Sequence, residues 1–295
     1  MKLLALILAA AFACSSPVVD GEATRIPFRL TKWNNVSVPS TINENYALNL
    51  MFHTAVSDVS IVTETLDKLS EIALDEEADV TTWGGTSKSR FGKGLRLAFG
   101  SLTLENVTVF ESARSGHQTD GKFGPSQLDC KFIEINFDLS VILLHPKLPK
   151  RSGEWKVIHL QVDGDMLSID ANLEVGEQVI EQRFCLHSGY SGFALLDDEF
   201  VSKHTQLAEL EILEENELTD SAGNVIKTKK ASIPKFSIDE FEFERTPVSF
   251  FEGALGRQRI SLLGGDFLKR FNLLFDLENG QVYLKKSQHF GCDHF

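Results

Sequence analysis

One pattern in the chain occurs twice, and a doubled pattern leaves few folds open. Leu48-Asn49-Leu50-Met51-Phe52 runs into His53-Thr54-Ala55-Val56-Ser57, and Gln182-Arg183-Phe184-Cys185-Leu186 runs into His187-Ser188-Gly189-Tyr190-Ser191. Each is an apolar strand, then His, a hydroxyl residue, a small residue, one further residue and Ser. Three later landmarks follow in the same order in both halves. A strand pair around a turn covers 95–109 and 236–250. An apolar-Gly step opens a short helical turn at 123–128 and 263–268. A closing strand pair carries Phe137-Asp138 and Phe275-Asp276. The copies lie 134 residues apart at the His and 138 apart at the closing Asp. A repeat of that length predicts two homologous lobes. The Pro/Lys/Gly-rich stretch 146–153 is the expected boundary.

Most of the chain reads as β. Short alternating runs such as 102–110, 133–144, 166–173, 179–186 and 273–284 are separated by Gly, Asn, Asp and Pro, the punctuation of hairpins. Two stretches have helical spacing. In 63–74, Leu66, Leu69 and Ile72 share a face; 197–213 is apolar on one side and charged on the other. The acidic run 209–220 reads as the solvated end of that second helix.

These landmarks resemble the pepsin/retropepsin group of aspartic peptidases, whose lobes each carry a strand ending in Asp-Thr/Ser-Gly-x-Ser and, later, an apolar-apolar-Gly motif. Asp120-Gly121-Lys122-Phe123-Gly124 is similar to the Asp-Gly-x-x-Gly of pepsin-like first lobes. The segment 260–268, with Phe275-Asp276 and Val282-Tyr283-Leu284, is similar to the close of bacterial retropepsin-like proteins. The resemblance covers 25–286. It implies an all-β fold with an N-terminal lobe over 25–149, a C-terminal lobe over 150–286, a few short helices and a central cleft that takes an extended peptide or other ligand. It places His53 and His187 where the family has its catalytic Asp, and Thr54 and Ser188 where hydroxyls bond across the lobes. Ser57, Ser191 and Gly189 keep the family's residues, and Ala55 replaces its other Gly.

The His substitution changes the chemistry. Two carboxylates about 3 Å apart share one proton and hold a water between them. One takes the water's proton while the other donates to the carbonyl. Two imidazoles lack the anionic partner, although a neutral His is still a base. Three readings therefore stand open. The first is a pseudo-peptidase whose cleft still binds an extended ligand. The second is a hydrolase with His53 or His187 as base. In the third, His53 and His187 bind a divalent metal such as zinc, which needs at least three protein ligands. His117, just before the Gly motif, is then the third ligand. No other cofactor is expected.

The remaining features bear on surroundings. Residues 1–13 read as a secretory signal, with Lys2, an apolar run and Ala11-Phe12-Ala13. Cys14 follows, resembling the acylated Cys of a bacterial lipoprotein, with 14–24 as linker. That implies an exported protein, periplasmic or on the cell surface, touching membrane only through its lipid. A net charge of −13 disfavours nucleic acid as a partner. Trp83-Gly84-Gly85 sits where a pepsin-like flap would cover the cleft, with Trp83 as an apolar lid over the ligand. Asn35-Val36-Ser37 fits the glycosylation triplet. Residues 287–295, with His289, Cys292 and His294, read as a tail outside the repeat.

Overall fold

The structure, a computed structural model, describes residues 22–82, 85–207, 209–251 and 259–295. The duplication appears as two eight-stranded sheets with the same strand order. In the N-terminal lobe that order is Arg29–Leu30, Val36–Ile42, Tyr46–Phe52, Gly121–Phe123, Val59–Val62, Leu102–Ser112, Gly85–Phe99 and Glu76–Thr82. In the C-terminal lobe it is Gln161–Asp163, Met166–Val175, Gln178–Leu186, Ser261–Leu263, Ala194–Leu195, Phe241–Phe251, Val225–Ile238 and Ile212–Thr219. Even the extra pairing that folds each sheet back on itself recurs, Val36–Ile42 on Gly85–Phe99 and Met166–Val175 on Val225–Ile238.

A third sheet joins the lobes. Its six strands run Thr24–Pro27, Val141–His145, Phe132–Asn136, Phe271–Asp276, Gln281–Lys286, Lys156–His159, with the pseudo-twofold between Phe132–Asn136 and Phe271–Asp276. Four of the six, Phe132–Asn136, Val141–His145, Phe271–Asp276 and Gln281–Lys286, are the closing strand pairs of the two copies, and the unbroken burial of Phe271–Asp276 suits a strand covered on both faces. Leu273, Leu274 and Phe275 are buried without a break. Phe dominates both lobe cores: Phe99 stacks on Phe123 at 4.3 Å in the first, and Phe193 meets Phe236, Phe243 and Phe267 edge-on in the second.

Both helical expectations shrink. In 63–74 the helix covers only Thr63–Leu66. The rest is a chain of tight turns, with Leu69 N–H on Leu66 O and Ile72 N–H on Leu69 O. Leu66 and Leu69 are still buried, because a spacing of three fits 3-10 turns as well as an α-helix. In 197–213, Asp197 caps a helix Asp198–Lys203 by accepting the Phe200 N–H at 2.8 Å. The acidic run is then a strand, not a helix end. Its Glu214, Glu215 and Glu217 face Lys230, Lys229 and Lys227 across the hairpin, so opposite charges meet pair by pair.

The C-terminal segment is no loose tail. Arg270, buried, bonds the carbonyls of Phe290 and Cys292 at 2.9 and 2.8 Å, and Phe290 packs on Phe241, Phe243 and Phe271. Buried Asp266 accepts from His294 Nδ1 at 3.0 Å and pairs with Lys269 and Arg270. Those cations and hydrogen bonds outweigh its desolvation and hold its carboxyl well below the usual carboxylate range. Cys130, Cys185 and Cys292 are free thiols.

Candidate functional site

Each copy presents its His at the end of a parallel strand pair. Tyr46–Phe52 runs parallel to Gly121–Phe123, and His53 N–H closes onto Phe123 O at 2.9 Å. Gln178–Leu186 runs parallel to Ser261–Leu263, and His187 N–H closes onto Leu263 O at 2.8 Å. The Gly after each short strand is a steric requirement. A Cβ at Gly124 would run into the Val56 carbonyl, and one at Gly264 into the carbonyls of Gly192 and Tyr190. The apolar-Gly step thus lets one segment pass directly over the loop that carries the His.

The residue after each His ties the lobes together. Thr54 Oγ1 donates to Leu186 O at 2.6 Å and accepts the Ser188 N–H at 3.0 Å. Ser188 Oγ donates to Phe52 O at 2.7 Å and accepts the Thr54 N–H at 3.0 Å. Both hydroxyls use donor and acceptor capacity across the pseudo-twofold. Thr54 and Ser188 are almost wholly buried, so each bond is shielded from competing water.

This lock brings the two imidazoles together, with ring centroids 4.5 Å apart at an interplanar angle of 75°. The pair is not symmetric. The Ala55 N–H donates to His53 Nδ1 at 3.2 Å, which leaves the proton of the neutral ring on Nε2. The His53 ring lies over Gly189, where a Cβ would collide with Nε2 and Cδ2. Gly189 is therefore the bare backbone that lets two rings share the floor. Burial lowers the His53 pKa well below the ordinary imidazole value, and the fields of His187 and Lys122 lower it further. Burial and Lys122 lower His187 to about 4. Both rings are neutral at pH 7.

The other sequence candidates scatter. The Ser57 carbonyl accepts from Ser126 Oγ and Gln127 Nε2, while its hydroxyl bonds Asp58. The Ser191 carbonyl accepts from Asn34 Nδ2 at 2.9 Å. These two serines contribute backbone that fastens neighbouring loops. His117 is exposed and stacks on Trp33 at 4.3 Å. Among the described residues no group of three His, Cys, Asp or Glu side chains is placed to hold a metal, so His53, His117 and His187 do not form the expected zinc set. Trp83 and Cys14 lie outside the described residues.

Two residues at the site escaped the sequence reading. Lys122 is the cation whose field both imidazoles feel. It occupies the free position of the Gly motif, and the other copy has Leu262 there. That mismatch within a repeat was the available signal. Asn35, the first residue of the glycosylation triplet, is buried and reaches across the lobes to Ser188 O at 3.4 Å.

No family model matches the chain, and no curated protein matches its sequence. Among solved structures it is similar to the aspartic proteinase from Irpex lacteus, at 12% identity and a TM-score of 0.59, over 92% of this chain and 99% of that one. The fold is therefore all-β with two aspartic-peptidase-like lobes, reached by a sequence that carries imidazoles where the resemblance expects the acid pair.

Proposed function

We propose that this chain is a pseudo-peptidase, a protein that keeps the two-lobed scaffold and binds an extended peptide in the cleft without hydrolysing it. The observation that carries this reading is the pair of neutral imidazoles held by an intact cross-lobe lock. General-base attack needs a base whose conjugate acid has a pKa near the working pH. A ring titrating at about 4 has little proton affinity to offer at pH 7. The second role, donation to the carbonyl, would fall to a neutral imidazole N–H, a far weaker acid than a carboxyl. Binding needs neither. A peptide laid between β lobes takes main-chain hydrogen bonds from strand edges and side-chain contacts from the walls. Export and acylation of Cys14 complete the proposal and put that cleft outside the cytoplasm; a Cys14→Ser variant should then lose membrane association.

The test is incubation of the purified protein with a denatured protein mixture and, separately, with a peptide library followed by thermal unfolding. Stabilisation by peptides without new termini is the expected result. Cleavage that disappears in His53→Ala and His187→Ala would establish a hydrolase instead.

A further inference from the structure

The two cleft walls differ in one place that the repeat makes easy to see. Across the N-terminal sheet, on the face opposite the lobe core, the register runs Ser37, Met51, Lys122, Ser60. The mate of this row in the C-terminal sheet is Ser168, Cys185, Leu262, Leu195. There, Cys185, Leu195 and Leu262 form an apolar cluster with Tyr190 and Phe251. The N-terminal row instead collects polar groups left over. Lys122 has no hydrogen-bond or ion-pair partner among the described residues. Its neighbour Ser60 is buried, and its Oγ has no partner either. Asn35 Oδ1 is buried and unbonded on the far side of Met51, where a Cβ at Gly116 would fall 2.5 Å from Met51 Sδ and 2.9 Å from Asn35 Oδ1. Ser112, two residues past the partner of Ser60 on the next strand, has a buried unbonded Oγ as well.

Buried polar groups without partners are rare because each costs desolvation, so several on one face call for an explanation. Their donor and acceptor types give one. An ammonium and two hydroxyls can donate, and an amide oxygen can only accept. A carboxylate accepts from all three donors, and the N–H of the peptide that carries it suits the amide oxygen. A doubly charged phosphate would call for a second cation, and the row holds only Lys122.

The roof of this wall comes from the other lobe. The turn after Ile212–Thr219 reaches over from the C-terminal lobe, and Ser221 O accepts the Ala113 and Arg114 N–H groups at 2.9 and 3.3 Å. Asp220 in that turn is the acid whose field Lys122 feels, but its carboxylate also organises its own turn through Ala222 and Asn224. Burial meanwhile pushes Lys122 down to about 8. A shared-proton acid pair would give the floor a net negative charge. Two neutral rings give it none, so the floor itself does not repel an anion beside Lys122.

We propose that this wall is a carboxylate-selecting subsite, with Lys122, Ser60 and Ser112 as donors to a ligand carboxylate and Asn35 as acceptor for the adjoining N–H. The inference rests on the peptide-binding reading above and adds its specificity: an acidic side chain or a free C-terminus must sit beside the imidazole pair.

Labelled octapeptides separate the alternatives. One set carries Glu or Asp and an amidated end, a second carries only neutral side chains with a free carboxylate, and a third is neutral and amidated. Binding of the first or second set should exceed the third about tenfold or more, as expected of a charge-assisted bond. Which set wins identifies the source of the carboxylate. Lys122→Leu, which copies the residue of the other lobe, should erase the preference by bringing the first and second sets down to the level of the third. Ser60→Ala, a second variant that leaves the charge in place, should reduce the preference without abolishing it. Equal binding of all three sets, or a preference that survives in Lys122→Leu, overturns the subsite and leaves the peptide-binding reading standing. Binding of no set overturns both.

Discussion

The two lobes share a backbone and divide over side chains. Strand order, the pairing of each His strand with its short parallel neighbour, and the apolar-Gly step are the same in both. Residues on the core side of the sheets keep one chemistry: Leu50 and Phe52 answer to Phe184 and Leu186, all buried. Residues on the cleft side diverge at particular positions. Lys122 answers to Leu262, and Ala55 to Gly189. The two copies share a core chemistry and differ at the cleft. A cleft with one charged wall and one apolar wall would give a chain laid in it a direction, which a symmetric pair of lobes could not.

The largest expected difference between the copies lies just after the Gly step. There the C-terminal lobe buries Asp266 with Arg270, Lys269 and His294, while the N-terminal lobe has Ser126, whose hydroxyl donates to the Ser57 carbonyl. Removing one partner of a buried ion pair strands the other, at about 3–5 kcal/mol. Asp266→Ala should lower stability by that amount and free the C-terminal segment. Ser126→Ala should cost about 1 kcal/mol or less. Urea unfolding of both variants measures the gap, and equal costs would mean that the docked segment contributes nothing to the second lobe.

The cross-lobe lock should behave in the opposite way, as the most symmetric part of the molecule. Thr54→Val and Ser188→Ala each remove a buried hydroxyl that donates once and accepts once. Each should cost about 2–3 kcal/mol, and the double variant less than the sum, because the four bonds form one network. A strictly additive double variant would show that the two hydroxyls act separately.

The imidazole pair predicts a pH dependence. His187 titrates at about 4 in the folded protein and near 6.5 unfolded, so the unfolded chain binds the extra proton between these values. Stability is then full above about pH 6.5 and falls as pH drops toward 4, by about 3 kcal/mol from this ring. His53, shifted in the same direction, adds to the loss. Unfolding midpoints at pH 7.5 and 4.5 should differ by much less in His187→Gln than in the wild type.

What the sequence disclosed follows the same division between core and cleft. The lobes and the meeting of His53 with His187 were legible because strand alternation and a repeated motif are periodic signals. The acidic run was misread as helix because its stabilising partner, the Lys-rich strand 225–238, is distant in sequence, and pairing across a hairpin leaves no local trace. His117 was misassigned because nearness to the Gly motif in sequence says nothing about Trp33, on which it stacks. Lys122 went unnoticed because a single charge in a three-residue strand looks like an exposed edge. Only the register, which sets it beside Met51 and Ser60, shows which face it occupies.

Lys122→Leu gives the smallest and most pointed prediction, because it makes the N-terminal wall resemble its mate. Burial puts the folded-state pKa of Lys122 at about 8 against 10.5 for the free side chain, so below pH 8 the folded protein carries an ammonium it would be more stable without. Its partial exposure lets water offset part of that penalty, leaving a gain of about 1–2 kcal/mol at pH 7 for the Leu variant. The wild type should recover this difference as pH rises from 8 toward 10.5, because there the unfolded chain binds the proton that the folded one has released. The two stability curves should therefore converge at alkaline pH. A stabilised variant that has lost its preference for acidic peptides would mark Lys122 as a residue whose stability cost is offset by binding. A destabilised one would mean that the ammonium already holds the fold together, and that the two walls differ for structural reasons alone.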